Sequence, residues 1–370
     1  MHKDDGPMLK YIANRLGVGH VYVREHFANF SVKNQKDLLT IINIFDKYPL
    51  NTSKNLNYLL WKKGYKLYQD RKKSRDSLDK DLKNLTEELV NLKNQMNRKR
   101  SDFEQPDNHR VYITPYWLLG FVEAEGFFSV STKNYSLVFG IGQTASEAVV
   151  LEAIQKFLLE LPGKYKITRS DSNIVSFTVS EKTKNENSKP MATLTTYKSD
   201  YITNVLVPFF DNLTWLSKKK LDYEDWKLIL NIKNKGKHFT EEGKELISLL
   251  GRGMNKGRLS TNITEDHLHI TREKLREKVL KLLSSPSNYE IHDNGKIWVK
   301  SLEVYLKSRG NINVEVLDQN NELIYNFHSI KECAQFFKVS DRTINRKLDK
   351  GTTIEFNGKF FTLKRSTSLL

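Results

Sequence analysis

The sequence predicts a mixed α/β (α+β) protein with two related α/β units and a small helical unit at its C-terminus. First, a stretch that begins at Phe45 is repeated from Phe210. Second, stretches with helical periodicity and short alternating stretches follow each other in the same order in both copies. Third, two short capped helices joined by a turn follow Phe327. The length of 370 residues allows two or three domains.

The internal repeat has a constant offset. The stretch FDKYPLNTSKNLNYLLWK begins at Phe45, and FDNLTWLSKKKLDYEDWK begins at Phe210. Seven identities with one offset predict a structural repeat. The identical pairs, each separated by 165 positions, are Phe45/Phe210, Asp46/Asp211, Lys54/Lys219, Leu56/Leu221, Tyr58/Tyr223, Trp61/Trp226 and Lys62/Lys227. Three upstream pairs are separated by 142 positions, namely Leu9/Leu151, Ile12/Ile154 and Leu16/Leu158. The offset changes mainly at a polar loop, 181–190, which only the second copy carries.

Each copy is predicted to run helix, strand, strand, helix, helix. In the first copy these elements cover 7–16, 19–27, 28–34, 36–47 and 53–72. In the second copy they cover 146–160, 163–169, 173–180 with 192–197, 199–211 and 217–232. A further helix and two strands, 126–133 and 136–144, precede the second copy, whereas Met1 aligns with Gln143. We therefore expect the first unit to be N-terminally incomplete, with its leading helix encoded upstream or lost.

The segment TPYWLLGFVEAEG, from Thr114 to Gly126, predicts a short apolar helix that leads directly into a sheet. Thr114 caps the helix and Pro115 occupies its first position. Gly126 ends it before an alternating stretch. Gly120 and Ala124 lie on one face, where small side chains let a second helix approach closely. The segment therefore predicts a helix-pairing surface.

Two acids, Glu123 and Glu125, lie in the last turn of this helix. The helix dipole disfavours each carboxylate there by roughly 0.3–1 kcal/mol, so we expect a positive group to compensate them. Residues two apart on a helix point in different directions. We therefore expect the two acids not to share one ion, and one of them to face the protein.

Residues 118–126, LLGFVEAEG, resemble the signature of the LAGLIDADG homing endonucleases, with Leu119 in place of the family's usual Ala. The resemblance implies two αββαββα domains whose signature helices pack together above a saddle of antiparallel sheets. It also implies that Glu125 is the metal ligand. Oxygen ligands favour Mg²⁺, which is the expected cofactor. The alternative is a buried apolar helix with an acidic end.

The resemblance assigns further catalytic roles to Gln143, Lys219 and Lys54. Gln143 ends the second predicted strand and matches a family glutamine that positions solvent around the scissile phosphate. Lys219 matches the family's basic residue near the attacking water, with Lys54 as its counterpart in the first copy and Lys218 as an adjacent alternative. A solvated surface role stays open for Gln143 and Lys219. No HExxH, GxSxG, Walker A or Cys/His cluster competes with this site.

The charge balance favours a polyanionic partner, because 60 Lys and Arg residues face 44 acids and give a net charge of +16. The resemblance implies double-stranded DNA on the saddle, with strand residues reading the major groove. The surface is expected from strands at about 127–133, 136–144, 163–169 and 173–180. The candidate contacts there are Ser129, Ser131, Lys133, Arg169, Ser170, Lys182 and Lys184.

Several protein classes are excluded by composition. The single cysteine, Cys333, excludes an internal disulfide and a Cys-cluster zinc site. No stretch approaches the 18 apolar residues of a membrane span. The N-terminus, MHKDDGPMLKY, has neither secretory nor transit-peptide character. With the resemblance, this predicts a mitochondrial protein that is encoded in the organelle and carries no import signal.

Between the copies, leucines and one methionine recur at alternating spacings of four and three: Leu78, Leu82, Leu85, Leu89, Leu92 and Met96. This stripe is typical of a coiled coil, and equally of a long helix laid against its own domain. After the second copy, 251–260 is basic and Gly-rich, which indicates a flexible arm or a plain linker. The predicted units are 1–72 (partial first domain), 73–108 (charged linker), 109–250 (complete domain), 251–313 (basic arm and connector) and 314–370 (tail).

The tail is predicted to hold a hairpin, 314–325, followed by two helices. Ser329 caps a helix over 330–337, and Ser340 caps a second over 341–348. The spacing is that of a helix-turn-helix, and the tail also resembles the intron-encoded nuclease repeat that follows several families of homing endonuclease. A helical hairpin for protein contact is the alternative. The candidate DNA contacts on the second helix are Arg342, Thr343, Asn345, Arg346 and Lys347.

Two functions follow from the resemblance. The first is a site-specific, Mg²⁺-dependent DNA endonuclease encoded by a mobile group I intron. The second is a non-catalytic maturase that binds its host group I intron RNA and assists splicing. Retention of LLGFVEAEG favours the first, and the expected loss of one acid favours the second. Homodimerisation through Gly120 and Ala124 is the alternative source of a paired helix.

Overall fold

A computed structural model describes residues 1–73, 79–165, 173–180, 189–261, 270–293, 295–306 and 312–365. The fold is mixed α/β with antiparallel sheets, as predicted. The first copy consists of α1 (Gly6–Leu16), β1 (His20–Val23), β2 (Ala28–Ser31), α2 (Gln35–Lys47) and α3 (Lys54–Lys73). β1 and β2 pair antiparallel as a two-stranded sheet. Every helix predicted for this copy lies within one residue of its predicted ends.

The second copy is longer. It begins with α5 (Pro115–Glu125), after the intervening helix α4 (Asp79–Asn94), and continues through β3 (Gly126–Val130), β4 (Leu137–Thr144), α6 (Ala148–Leu159), β5 (Ser176–Ser180) and β6 (Met191–Thr196). It then runs through α7 (Ser199–Tyr201), a π-helical turn (Ile202–Leu206), α8 (Val207–Asp211), α9 (Lys219–Asn234) and α10 (Glu241–Arg252). Its four strands form one sheet in the order β3-β4-β6-β5.

The predicted strand order of the second copy needs a correction. The sequence indicated one strand interrupted by a loop, 173–180 with 192–197, but β5 and β6 are two antiparallel strands joined by that loop. Residues 163–165 of the predicted strand 163–169 are not in a strand, and its remainder lies outside the described residues. Alternation identifies strand residues but not their partners, which is why the hairpin was missed.

The repeat is conserved down to single hydrogen bonds. In the first copy the Tyr58 hydroxyl donates to the Asp46 carboxylate at 2.5 Å, and Lys62 pairs with the same carboxylate at 2.6 Å. In the second copy the Tyr223 hydroxyl donates to Asp211 at 2.7 Å. Lys227 completes that triad, 2.5 Å from Asp211. Equivalent triads at both ends of the 165-residue offset show that the two copies share one local structure.

The main core belongs to the second copy. Helices α6 and α9 pack on one face of the four-stranded sheet. Phe128 of β3 is fully buried and contacts five aromatic rings, among them Trp226 of α9 at a centroid distance of 5.3 Å. The Trp226 indole also donates to the Ser129 carbonyl at 3.1 Å. This packing fixes the strand that follows the signature helix.

Two members of the heptad stripe, Leu89 and Leu92, pack inside the chain, while Leu78 lies outside the described residues. Helix α4 lies against α3, and the position of Gly64 on α3 faces Leu89 and Leu92 of α4. A Cβ at Gly64 would lie 3.4 Å from a Leu89 methyl carbon. In its described part, helix α4 therefore lies against its own domain, which is the second of the two predicted alternatives.

Residues 251–260 are part of the folded second copy, in contrast to the expected free arm or linker. The Asn255 side chain donates to the Phe128 carbonyl at 2.7 Å, and Arg258 pairs with Asp222 at 3.1 Å. The same pattern occurs after α4, where Arg100 donates to Asn57. The repeat therefore continues through the short motifs MNRKR, 96–100, and MNKGR, 254–258.

The C-terminal part begins with α11 (Arg272–Ser284), which packs on α9 and α10. A small sheet follows, formed by β7 (Tyr289–Ile291), β8 (Ile297–Val299) and β9 (Val304–Tyr305). The tail consists of β10 (Val314–Leu317), β11 (Leu323–Phe327), α12 (Ile330–Phe336), α13 (Asp341–Lys350), β12 (Ile354–Phe356) and β13 (Lys359–Arg365).

The tail has its own core, in which Cys333, Phe337 and Ile344 are buried against β10 and β13. Ser329 and Ser340 cap α12 and α13 as predicted. The strands β12 and β13 were not predicted, and they turn the helical hairpin into an α/β unit with sheet order β11-β10-β13-β12. Among the described residues, no helix has the length and apolar character needed to cross a membrane.

Candidate active site

The signature helix α5 joins β3 without a connecting loop. The Thr114 hydroxyl caps the helix by accepting from the Trp117 amide at 3.2 Å, and Pro115 occupies its first turn. Gly126 is required at the junction, because an added Cβ would lie 2.7 Å from the Val122 carbonyl oxygen. The helix therefore delivers its last residue, Glu125, to the edge of the sheet.

The two acids of α5 have different surroundings, as predicted. The Glu123 carboxylate faces the protein and accepts from the backbone amides of Leu216 and Ser217, at 2.8 and 2.6 Å. These amides lie just before α9, so the positive end of a helix dipole compensates Glu123. The Glu125 side chain is exposed and makes no hydrogen bond or ion pair with any other described residue. Glu125 is thus the acid that is available to a ligand.

The face of α5 that carries Gly120 and Ala124 is open. Both residues are exposed, and a Cβ at Gly120 would meet nothing within 4 Å. We call the depression along this face the α5 groove, and its volume is about 440 Å³. The groove is lined by Leu50, Asn51, Thr52, Lys54, Tyr116, Trp117, Gly120, Phe121, Ala124, Glu125, Gln143 and Glu147.

Gln143 reaches the α5 groove through the register of the sheet. Gly126, the first residue of β3, pairs with Ile141 of β4. Gln143 lies two residues further along β4, beside the last turn of α5, and it shares the strand face of Ile141. The sheet therefore brings Gln143 and Glu125 into one groove.

The first copy contributes Lys54 to this groove. Lys54 is the first residue of α3, it is exposed, and its ammonium group has no hydrogen bond or ion pair within the described chain. The α5 groove is therefore composite, with a carboxylate and an amide from the second copy and an ammonium group from the first.

Lys219 is in a different environment from its counterpart Lys54. Its side chain is only 12% exposed, and its ammonium group lies 3.5 Å from Asp222, a fully buried carboxylate. Arg258 lies 3.1 Å from the other oxygen of that carboxylate. Burial raises the pKa of Asp222 because desolvation outweighs the attraction of Arg258 and Lys219. The structure thus places Lys219 in a buried ion cluster and outside the lining of the α5 groove.

One residue of the repeat explains this difference. Asp222 corresponds to Asn57 in the first copy, at the 165-residue offset. A neutral amide offers no charge to an ammonium group, and Asn57 is engaged by Arg100 at 3.3 Å. Lys54 is therefore left free where Lys219 is paired. Lys218, the adjacent alternative to Lys219, is exposed.

A second depression, of about 370 Å³, adjoins the α5 groove at Lys54, and we call it the basic depression. It lies between the copies and combines cations with hydroxyl groups. Its lining residues are Ser53, Lys54, Asn57, Asn97, Arg98, Arg100, Phe103, Thr144, Ser146 and Lys189. This composition is suited to an anion such as a backbone phosphate.

The predicted DNA contacts are placed as follows. Ser129 lies on β3 on the face opposite the buried Phe128, while Ser131 and the exposed Lys133 follow the strand. The remaining four candidates, Arg169, Ser170, Lys182 and Lys184, lie outside the described residues.

In the tail, Arg342 and Arg346 are exposed on α13, whereas Lys347 is half-buried. The Thr343 hydroxyl is 3.0 Å from the Ser340 hydroxyl, and Asn345 donates to the Asp341 carbonyl at 3.0 Å. Arg342 and Arg346 therefore remain the best-placed cations of this helix.

Sequence reasoning missed two acids at the boundary between the copies. Asp5 and Glu147 are 8% and 7% exposed. Asp5 is the residue immediately before α1, and Glu147 is the residue immediately before α6. Their spacing of 142 residues, equal to the upstream offset of the repeat, was a signal that could have found them.

Comparison with known proteins gives two family matches. A model described as LAGLIDADG endonuclease matches residues 1–65 and 118–230. A model described as NUMOD1 domain matches residues 312–348, in the tail. The first match takes in most of both copies of the repeat, and its second segment begins at the fourth residue of the signature helix.

Relatives by sequence are found in fungi. The chain is 27% identical to the uncharacterized mitochondrial protein RF1 of Saccharomyces cerevisiae, over 95% of this chain and 72% of that protein. It is 29% identical to probable intron-encoded endonuclease 3 of Neurospora crassa, over 68% of this chain. The matched region spans 46% of the Neurospora protein.

Solved structures show the same fold. The LAGLIDADG homing endonuclease I-GzeII in complex with its DNA target superposes with a TM-score of 0.56 at 23% identity, over 70% of this chain and 87% of that chain. The homing endonuclease I-SmaMI bound to cleaved DNA has a TM-score of 0.53 at 26% identity, over 70% and 85% of the two chains. Together with the two family matches, these similarities confirm the resemblance, and residues 1–65 and 118–230 match the LAGLIDADG endonuclease family.

Proposed function

We propose that this chain is a site-specific double-stranded DNA endonuclease encoded by a mobile group I intron. The single observation that carries the proposal is the unpartnered Glu125 carboxylate, which shares the α5 groove with Gln143 and the free ammonium group of Lys54. Relatives named intron-encoded endonucleases and DNA-bound structures of the same fold support it.

The donor set fits a hard divalent cation, and we propose Mg²⁺. No cluster of three or more His, Cys, Asp or Glu side chains that could hold a metal occurs among the described residues. Mg²⁺ in nucleotide enzymes commonly takes one or two carboxylates and completes its shell with waters and substrate phosphates. The exposed Glu125 suits that arrangement. When bound, the ion supplies an activated water and neutralises charge at the phosphate.

The residues of the groove then have separate roles. Glu125 would hold the cation, and the Gln143 amide would orient water in the same groove. The Lys54 ammonium group stabilises the negative charge that develops on the phosphate oxygens. Lys219 is not assigned to this groove, because its partner is the buried Asp222.

A second signature helix is proposed to pack on the open face of α5. Gly120 and Ala124 leave room for close approach, and Trp117 stacks on Phe121 at 4.9 Å along the same groove. The helix is supplied by a second copy of the chain or by another segment that carries the signature. Replacing Gly120 by Leu fills the contact surface and tests this pairing.

Salt dependence of DNA binding tests the basic depression. We expect Arg98→Ala and Lys189→Ala each to lower the slope of log K against log salt by about 1, since each phosphate contact releases counterions. Lys62→Ala is the matched control, because Lys62 is already paired with Asp46 at 2.6 Å. Fluorescence anisotropy over a salt series measures the slopes, and equal slopes in all three variants would contradict a phosphate site.

The tail is expected to increase the affinity for DNA without determining which phosphodiester bond is cut. Arg342→Ala combined with Arg346→Ala removes two exposed cations from α13, so binding should weaken and the salt slope should fall. The cut position should stay the same, because Glu125 is in another unit. Binding curves over a salt series measure the affinity and the salt slope, and end-mapping of the product gives the position of the cut. Unchanged binding would assign the tail to protein contact.

Mitochondrial location is also proposed, because the Saccharomyces relative is named as a mitochondrial protein. The function itself is tested by selecting cleaved molecules from a DNA library that contains the intron-less host site, with Mg²⁺ present. Splicing of the host intron is measured in parallel. Metal-dependent cleavage at one site supports the endonuclease, and splicing assistance without cleavage would support the maturase.

A further inference from the structure

Two buried acids each accept a backbone hydrogen bond across the boundary between the copies. The Glu147 carboxylate, from the second copy, accepts from the Ser53 amide of the first copy, at 3.1 Å to each oxygen. The Asp5 carboxylate, from the first copy, accepts from the Lys218 amide of the second, at 2.9 Å. These amides immediately precede α3 and α9. Each copy therefore caps the N-terminus of a helix in the other.

The two caps are equivalent under the repeat. Asp5 and Glu147 are separated by 142 positions, and Ser53 and Lys218 by 165, which are the two offsets of the internal repeat. The acids flank the N-termini of α1 and α6 but make no capping bond to their own helices. Their side chains are thus committed to the opposite copy.

The cost of burying the Asp5 and Glu147 carboxylates favours a fixed arrangement of the two copies. A buried carboxylate is tolerated only when it is paired or hydrogen-bonded. The N-terminus of a helix supplies both an amide donor and the positive end of a dipole. Among the described residues each acid meets this need only through the other copy, so the caps fix how α3 and α9 are placed against that copy.

We propose that Glu147 is a positioning residue that holds the start of α3 so that the next residue, Lys54, lies over the α5 groove. This inference rests on the proposed function for its catalytic meaning. Glu147 lines the same groove as Lys54 and Glu125, which places the cap beside the site it serves. Asp5 is the matched comparison, because it caps α9, where Lys219 is held separately by Asp222.

Amide hydrogen exchange in the full chain tests the caps directly. In Glu147→Ala the Ser53 amide should exchange roughly tenfold faster or more, since a bond to a charged acceptor is lost, while Lys218 keeps its rate. Asp5→Ala should give the reverse pattern. Glu147→Gln keeps an acceptor oxygen and should restore part of the protection at Ser53.

The position of Lys54 has its own measurement. In ¹³C-methylated lysine NMR, with the signal assigned by Lys54→Arg, the Lys54 resonance should shift in Glu147→Ala and stay in place in Asp5→Ala. Single-turnover cleavage should fall by roughly tenfold or more in Glu147→Ala with target Kd little changed, and it should fall less in Asp5→Ala.

These readouts separate the inference from the proposed function. If the wild type does not cleave the selected target, the proposed function fails, and the Lys54 resonance still decides whether Glu147 positions that residue. An unchanged Ser53 exchange rate or an unchanged Lys54 resonance in Glu147→Ala overturns the inference. Equal losses of cleavage in Asp5→Ala and Glu147→Ala, in proportion to lost stability, would also overturn it.

Discussion

Glu125→Gln is expected to lower the single-turnover rate of DNA cleavage by at least about 100-fold, since even outer-shell partners of a metal contribute about 10- to 100-fold. The amide keeps the size of the side chain but loses the charge that attracts Mg²⁺. Binding of the target should change little, because phosphate and sheet contacts supply the affinity. The folded state should be stabilised by up to about 1 kcal/mol, because a negative charge leaves the C-terminal end of α5.

Glu123→Gln is the matched control on the same helix. Glu123 accepts from the Leu216 and Ser217 amides, so its loss of charge should cost about 1–2 kcal/mol of unfolding free energy. Its effect on cleavage should be much smaller than that of Glu125→Gln. Denaturant titrations and cleavage time courses on both variants separate the roles. Equal cleavage by the wild type and Glu125→Gln would remove Glu125 from the active site.

Lys54→Met is expected to reduce cleavage by about 100-fold or more, the range seen when one stabilising donor is removed from an active site. Lys219→Met should reduce cleavage far less. It should instead lower stability, because the buried Asp222 loses one of its two cationic partners. Lys54 and Lys219 occupy equivalent positions in the repeat. A difference in cleavage rate between the two variants therefore reports the effect of the surroundings.

Single-turnover rates with a metal titration measure the lysine effects. Lys54→Arg serves as the charge-conserving control and should retain more activity than Lys54→Met. If Lys219→Met is assayed at a lower temperature, where its folded state is more populated, its cleavage rate should recover to most of the wild-type rate at that temperature. A larger loss of cleavage in Lys219→Met than in Lys54→Met would assign the active lysine to the second copy.

Helix bounds were predictable because their signals are local. Thr114, Pro115 and Gly126 determine the two ends of α5 through capping, ring geometry and close approach. The 165-residue offset located α3 and α9 together. The assignment of Glu125 and Gln143 to one site came from the family resemblance, and the register of β3 with β4 explains why they are neighbours.

What the sequence did not predict depends on contacts between distant residues. The pairing of β5 with β6 is set by register, which alternation does not encode. The packing of α4 on α3 places Leu89 and Leu92 beside Gly64, whereas the heptad stripe alone fits a partner in the same chain or in another. Lys219 is paired because the second copy has Asp222 where the first copy has Asn57. The sequence shows this difference but not that Arg258 lies beside Asp222.

We infer that the α5 groove holds the catalytic metal ion between the two copies. Iron-directed protein cleavage tests this, because Fe²⁺ binds oxygen-rich divalent sites. When hydrogen peroxide is added, Fe²⁺ reduces it to hydroxide and a hydroxyl radical, becomes Fe³⁺, and the radical cuts nearby backbone. With target DNA bound, we expect cuts near residues 54, 125 and 143 that are competed by Mg²⁺, lost in Glu125→Gln and kept in Glu123→Gln. Cuts confined to other segments, or unchanged cuts in Glu125→Gln, would show that the metal ion binds elsewhere.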